Sequence, residues 1–263
     1  MSYNTIEFTV DSGVALLTLN RPEKFNSFNT EMHQELREVL KEVRSNDAIR
    51  CLLITGKGRA FCAGQDLGDR SVAAGDELPD LGESVEKNYN PLIRAITALE
   101  LPVICAVNGV AAGAGSSLAL AADIVLAARS ASFIQSFCKI GVIPDSGSTW
   151  ALPRLVGMAR AKGLALLGDK LPAEQAEAWG LIWQCVDDEE LAETSLAMAK
   201  QIATQPTKGL SLIKRALKAS TANSLDEQLE LEKDYMRIAG RTEDYREGVA
   251  AFMEKRPAVF KGR

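Results

Sequence analysis

PVICAVNGVAAGAGSSLALAADIVLAA, residues 102–128, begins with a short apolar run, turns at Asn108-Gly109 and passes into alanine, glycine and serine. An apolar run of this length bounded by turn residues reads as a strand buried on both faces. The small-residue stretch after it reads as the opening of a tightly packed helix. CLLITG (Cys51–Gly56) shows the same succession, a fully apolar strand followed by a glycine-punctuated loop. Strand, turn and helix recur three times before residue 135, and short apolar strands alternating with helices define an α/β domain.

Upstream, IEFTV and VALLTLN flank Asp11-Ser12-Gly13 and predict a hairpin. Met32, Leu36, Val39, Leu40 and Val43 recur at helical spacing with charges between them, which predicts an amphipathic helix capped by Thr30. The single histidine, His33, falls on the polar side of that helix, so neither a two-histidine metal site nor a Ser-His-Asp triad is expected. Arg70–Ser84 carries glycine, proline and acids without periodicity and reads as a mobile loop, with Val85–Leu99 helical after it. Beyond about residue 188 strand patterns stop. Helices are expected over 189–204, 207–220, 225–239 and 242–254. The chain therefore divides into an α/β core, 1–188, and a helical region, 189–263. Leu225, Leu229, Met236 and Ala239 share one face of the third of these helices, to be covered either by the core or by a neighbouring subunit.

The 263 residues are 46% hydrophobic, enough for a sizeable core, and the net charge of −5 argues against a nucleic-acid surface. Acids interspersed through the helix from Met32 to Arg44 speak against RNA in particular. Lys255, Arg256, Lys261 and Arg263 form a basic tail that is either solvated or directed at an anionic ligand. Cys51, Cys62, Cys105, Cys138 and Cys185 make no CxxC pair, and Cys51, Cys105 and Cys185 lie in apolar runs, which reads as buried reduced thiols. MSYNTIEFTV lacks a basic-then-apolar leader, and no run of about 18 apolar residues occurs. A cytoplasmic protein without membrane contact is the expectation.

Three segments carry chemistry. Gly58–Leu67 follows a buried strand and places small residues where a backbone can approach a ligand, although Asp66 could equally just fix the turn. Gly109–Ser117 opens a helix with free N–H donors, suited to an oxyanion or simply to close helix packing; the GxGxxG spacing of a dinucleotide site is absent. In Ile140–Thr149, Asp145 follows an apolar run and a proline. A partly buried carboxylate there is a better base toward a C–H bond, and the plainer reading is a helix cap or an Asx-turn.

Taken in order and spacing, these segments resemble the crotonase (enoyl-CoA hydratase/isomerase) superfamily over nearly the whole chain. The likeness starts at Asn20-Arg21-Pro22-Glu23-Lys24-Phe25-Asn26-Ser27, runs through AFCAGQD and NGVAAGAG, and ends in Glu247–Arg256. The resemblance implies a spiral of β-β-α units with a C-terminal helical oligomerisation region that builds homotrimers, often paired into hexamers. It implies an acyl-CoA substrate, coenzyme A entering as part of that substrate and not as a cofactor, and no metal. By motif position the oxyanion donors are the backbone amides of Gln65 and Ala114. Ala63, Asp66, Leu67 and Gly68 line the thioester path, and Lys24 lies near the coenzyme A phosphates. Hydratases of the superfamily use two glutamates; here those positions hold Ser117 and Phe137. Neither can activate water near neutral pH, which leaves Asp145 as a lone acid-base of the kind isomerases carry. AFCAGQDLGDR, Pro79–Gly82 with Tyr89–Leu92, and IPDSGSTW are most similar to the branch that isomerises ring-epoxidised phenylacetyl-CoA in phenylacetate degradation. A Δ3,Δ2-enoyl-CoA isomerase would need the same parts. A non-catalytic subunit of a multienzyme complex, beside a sister enoyl-CoA hydratase, is the remaining alternative.

Overall fold

β1 (Ile6–Asp11) pairs with β2 (Val14–Leu19) as the expected antiparallel hairpin, with Ser12 and Gly13 both at positive φ in the turn. This computed structural model describes residues 3–70 and 80–263. Most of the loop expected over 70–84 therefore lies outside the described residues. At its end Asp80 caps a short helix α2 (Leu81–Ser84), accepting from the Gly82 and Glu83 amides.

The hydrophobic pattern of the core strands is continuous because both faces are covered. β2, β3 (Cys51–Gly56), β5 (Val103–Val107), β7 (Ile124–Ala128) and β10 (Gln184–Val186) run parallel, with β1 closing one edge, in the order β1-β2-β3-β5-β7-β10. Leu52, Ile54, Ile104 and Leu126 are buried at its centre, each side chain contributing about 1.5–3 kcal/mol of transfer free energy. A second sheet, unrecognised in the sequence pattern, is built from three-residue strands: β4 (Ala60–Cys62), β6 (Val110–Ala112), β8 (Ser132–Ile134) and β9 (Lys170–Pro172), in that order. The chain spirals because each turn gives one strand to each sheet: β3 then β4, β5 then β6, β7 then β8. Helix α4 (Ala114–Leu120) follows β6, and α5 (Ser148–Leu167), broken at Gly157, follows β8.

Helix α1 (Thr30–Ser45) buries Met32, Leu36, Val39, Leu40 and Val43 as the spacing predicts. Its cap is Asn29 and not Thr30: the Asn29 side chain sits on extended backbone and accepts from the Met32 amide at 2.9 Å. His33 is also corrected. It is buried, stacked on Phe28 at 5.1 Å, because the apolar stripe is wider than the aliphatic spacing alone marks. Cys51, Cys62 and Cys105 are buried and Cys185 only half-buried; all five thiols are free. Burial pushes the Cys51 and Cys62 thiols up to about 12.

Four helices close the chain: α7 (Leu191–Ala203), α8 (Thr207–Ala219), α9 (Leu225–Ala239) and α10 (Glu243–Glu254), after the short α3 (Asn90–Thr97) and α6 (Ala173–Ala178) upstream. Helix α7 lies across β3, β5 and β7. The core does not cover the α9 stripe: Leu225 and Met236 are 74% and 71% exposed, and Phe252 on α10 is 81% exposed. Much of the basic tail is neutralised within the chain. Arg256 grips both oxygens of Glu247 (2.6 and 2.9 Å) and also pairs with Glu254, while Lys261 and Arg263 pair with Glu243. Lys261 and Gly262 amides donate to Asp244, fixing the chain end to α10. Among the described residues no helix is long and apolar enough to cross a membrane.

Candidate active site

β4, β6 and β8 lie side by side and parallel, so their carboxyl ends meet at one edge of the small sheet. Ligands bind beyond such ends because the backbone leaves the ladder there with donors unspent. Residues 63–65 leave β4, residues 113–114 leave β6, and Phe137 follows β8 by three residues. Gln65, the Gly113-Ala114 turn and Phe137 are thus neighbours through the sheet, although Gln65 and Phe137 lie 72 positions apart.

The orientation of the Gln65 amide is set by its neighbours. Phe28 N–H donates to the Gly64 carbonyl at 2.7 Å, and Asp66 N–H donates to the Phe28 carbonyl at 2.9 Å, a parallel bridge centred on Gln65. The carbonyl and N–H of one trans peptide point opposite ways, and the Gly64 carbonyl faces Phe28, so the Gln65 N–H of the same peptide faces away from it. Ala114 is the first residue of α4, where the amide has no intrahelical acceptor. Among the described residues neither amide is taken by a backbone or side-chain acceptor. Gly64 keeps them close: at φ +91°, a Cβ added there would lie 3.4 Å from the Ala114 nitrogen and 2.9 Å from the Ala112 carbonyl. Gly115 secures the packing beneath, since a Cβ there would meet the Cys62 carbonyl at 2.2 Å.

Asp145 enters from the turn before α5. Its side chain does not cap that helix, whose N-cap is Gly147; the Asp145 main-chain carbonyl instead accepts from the Ser148 amide at 3.0 Å. The carboxylate is half-buried and accepts from Ser146 Oγ at 2.9 Å. Ser117 links this turn to the first turn of α4. Its hydroxyl lies 2.6 Å from Ser148 Oγ, 3.2 Å from the Gly113 carbonyl and 3.4 Å from the Asp145 carbonyl. Phe137 is buried, its ring tip 3.9 Å from where a Gly113 side chain would begin. A cavity of about 650 Å³ opens beside Ser117 and the Ser146–Ser148 turn, walled largely by Ile93, Leu120, Trp150, Leu155, Ile213 and Leu217; Asp145 is not among its walls.

The outer rim carries the remaining candidates. Asp66 is held by Arg21 at 3.0 Å, with side chains 13% and 14% exposed, and accepts from the Gly68 amide. Burial pushes its carboxyl up, but the Arg21 and Gly68 hydrogen bonds and the Arg21 and Lys24 charges outweigh it and hold the group below the usual range. Lys24, Ala63, Leu67 and Gly68 are exposed around this pair. Arg21 and Asn26 join the site without being marked for it by the sequence. Arg21 also holds the Ser27 carbonyl (2.6 Å), and buried Asn26 donates to the Lys57 and Ala60 carbonyls, fixing the strand before the loop. The Asn20–Ser27 motif contains both residues; nothing in its spacing shows that they serve the 58–67 segment from outside it.

Comparison with known proteins agrees with this geometry. Residues 9–263 match the family model described as enoyl-CoA hydratase/isomerase. The chain is 62% identical over 254 residues to the 1,2-epoxyphenylacetyl-CoA isomerase of Escherichia coli K12, covering 97% of both chains. It is 47% identical over 263 residues, all of both chains, to a Rhodobacter capsulatus protein named "Probable enoyl-CoA hydratase". The crystal structure of an enoyl-CoA hydratase from Bacillus anthracis superposes with a TM-score of 0.93 at 33% identity, over 99% of this chain and all of that one. A two-sheet spiral, the carboxyl-end cluster and a family match over residues 9–263 lead to one assignment: this chain belongs to the enoyl-CoA hydratase/isomerase family.

Proposed function

We propose that the chain isomerises coenzyme A thioesters, with the ring-1,2-epoxide of phenylacetyl-CoA as substrate and Asp145 as the proton carrier. One observation carries the reading: Ser117 Oγ bridges the Gly113 carbonyl and the main-chain carbonyl of half-buried Asp145, bringing the turn that carries this carboxylate against the Gly113-Ala114 turn; by motif resemblance Ser117 and Phe137 stand where hydratases carry glutamates. The thioester oxygen accepts from the Gln65 and Ala114 amides. Asp145 takes the acidic proton beside the carbonyl, charge moves onto the oxygen as an enolate, and the proton returns at another carbon as the ring opens to the oxepin. No atom is gained or lost, so no cofactor is required. Lys24, Ala63, Asp66, Leu67 and Gly68 line the thioester path toward the coenzyme A phosphates. The 62% identity to an enzyme named for this substrate supports the choice of acyl group.

The uncovered apolar faces of α9 and α10 support a homo-oligomer, trimer or hexamer, built by residues 189–263. The test of function is a substrate panel: the aromatic epoxide thioester against linear 3-enoyl-CoA esters, followed by ultraviolet absorbance. Turnover of the epoxide at a kcat/KM at least about tenfold above the linear esters is expected. Preference for linear esters reassigns the substrate, and no turnover of either at high enzyme concentration removes the isomerase reading.

A further inference from the structure

Gln65 offers more than a main-chain amide, because its side chain folds back onto its own loop. Oε1 accepts from the Tyr89 hydroxyl at 2.5 Å, and Nε2 donates to the Phe28 carbonyl at 3.3 Å and the Asp66 carbonyl at 3.1 Å. These bonds tie the residue that carries the unspent N–H to its bridge partner Phe28, to the peptide after Asp66 and to Tyr89. Tyr89 is itself immobilised. It is 2% exposed, and its ring stands edge-on to Phe28 (5.7 Å, 87°) and to His33 (4.7 Å, 87°). It also ends a π-helical turn, Val85–Tyr89, in which the Asn90 amide reaches back to the Val85 carbonyl. Such a turn inserts one residue and rotates the downstream helix by about 100° relative to a regular one, and π turns recur at functional sites.

We propose that Tyr89 and the side chain of Gln65 are positioning residues, which set the angle at which the Gln65 N–H meets the developing oxyanion. This role rests on the thioester chemistry proposed for the chain. Hydrogen bonds weaken steeply once the donor angle falls, and preorganised donors are effective only within about 0.5 Å and 10–20°. Loosening this brace therefore costs rate and leaves ground-state binding nearly intact.

Tyr89→Phe keeps the ring packing and removes only the hydroxyl. It should lower kcat about tenfold, the value of one hydrogen bond, with KM within about threefold. Gln65→Ala should do at least as much, and the double variant should be no slower than Gln65→Ala alone because both act on one brace. Binding of 4-(dimethylamino)cinnamoyl-CoA gives a readout independent of turnover, since its absorption moves to the red when the thioester carbonyl is polarised. Wild type should show the shift, and Tyr89→Phe should reduce it at saturation. An undiminished shift and wild-type kcat in Tyr89→Phe overturn the proposal. So do additive losses in the double variant, or losses that merely track a fall in thermal midpoint. Absence of any red shift in wild type refutes the thioester reading itself, so the two failures are told apart.

Discussion

Backbone donors cannot be deleted by ordinary mutagenesis, but Gly64 gives access to them. Gly64→Ala places a methyl group 2.9 Å from the Ala112 carbonyl and 3.4 Å from the Ala114 amide nitrogen. The first distance is shorter than real contacts allow, so the end of β6 or the Gly64 loop must move, and backbone has no rotamer with which to yield. At φ +91° the alanine also pays strain of about 1–2 kcal/mol. Oxyanion donors must lie within about 2.7–3.1 Å of the developing charge, and losing one costs about 2.7–4 kcal/mol, roughly 100- to 1,000-fold in rate. The expected phenotype is therefore a kcat lower by about two to three orders of magnitude. The thermal midpoint should fall by only about 2–8 °C, from about 2–4 °C per kcal/mol for a chain of this size. Steady-state kinetics on the epoxide thioester, beside calorimetry of the same preparation, separates the two. A folded Gly64→Ala protein with kcat within threefold of wild type would refute the two-amide oxyanion site.

Other substitutions probe the remaining parts. Asp145→Asn should lower turnover by about 10²- to 10⁴-fold while retaining affinity for a coenzyme A ester measured by calorimetric titration; near-wild-type activity would remove Asp145 from the chemistry. Arg21→Ala releases Asp66, whose carboxyl is held below the usual range. A depressed carboxylate stabilises the fold above its unfolded pKa, near 3.9, and the benefit disappears as pH falls through the folded value. The midpoint of Arg21→Ala should thus lie below wild type at pH 7, and the gap should begin to narrow only below about pH 4 and close as pH falls through the still lower folded value; a gap that does not narrow as pH drops would show that packing, not charge, is responsible. Met236→Asp combined with Phe252→Asp should yield smaller particles in sedimentation velocity with unchanged helical circular dichroism; an unaltered sedimentation coefficient would place the assembly surface elsewhere.

Elements with long hydrophobic periods are legible in the sequence, and those set by distant contacts are not. Leu225–Ala239 announces itself by spacing and ends within a residue of expectation. Val110–Ala112 does not, because three residues show no period; only pairing with β4 and β8 makes them a strand. His33 reads as solvent-facing because its burial depends on Phe28 and Tyr89, one of them 56 positions away. The Asn29 cap lies one residue from the expected position, since asparagine and threonine are both good caps and only backbone angles decide between them. Gln65, Ala114, Phe137 and Asp145 are identified by motif resemblance, which marks positions; it cannot show that three of the four follow the carboxyl ends of adjacent strands.

The proposed mechanism asks one carboxylate to do all the proton transfer, and its surroundings bear on that. Ser117 has little capacity left for water: its hydroxyl already lies between the Gly113 carbonyl, Ser148 Oγ and the Asp145 carbonyl. Phe137 offers no polar atom at all and covers the Gly113 side of the turn. In the proposed reaction Asp145, half-buried with Ser146 as one fixed partner, is the proton carrier. On this proposal serine and phenylalanine in place of two glutamates change the reaction from water addition to internal proton transfer, and Asp145→Asn is the variant that tests it.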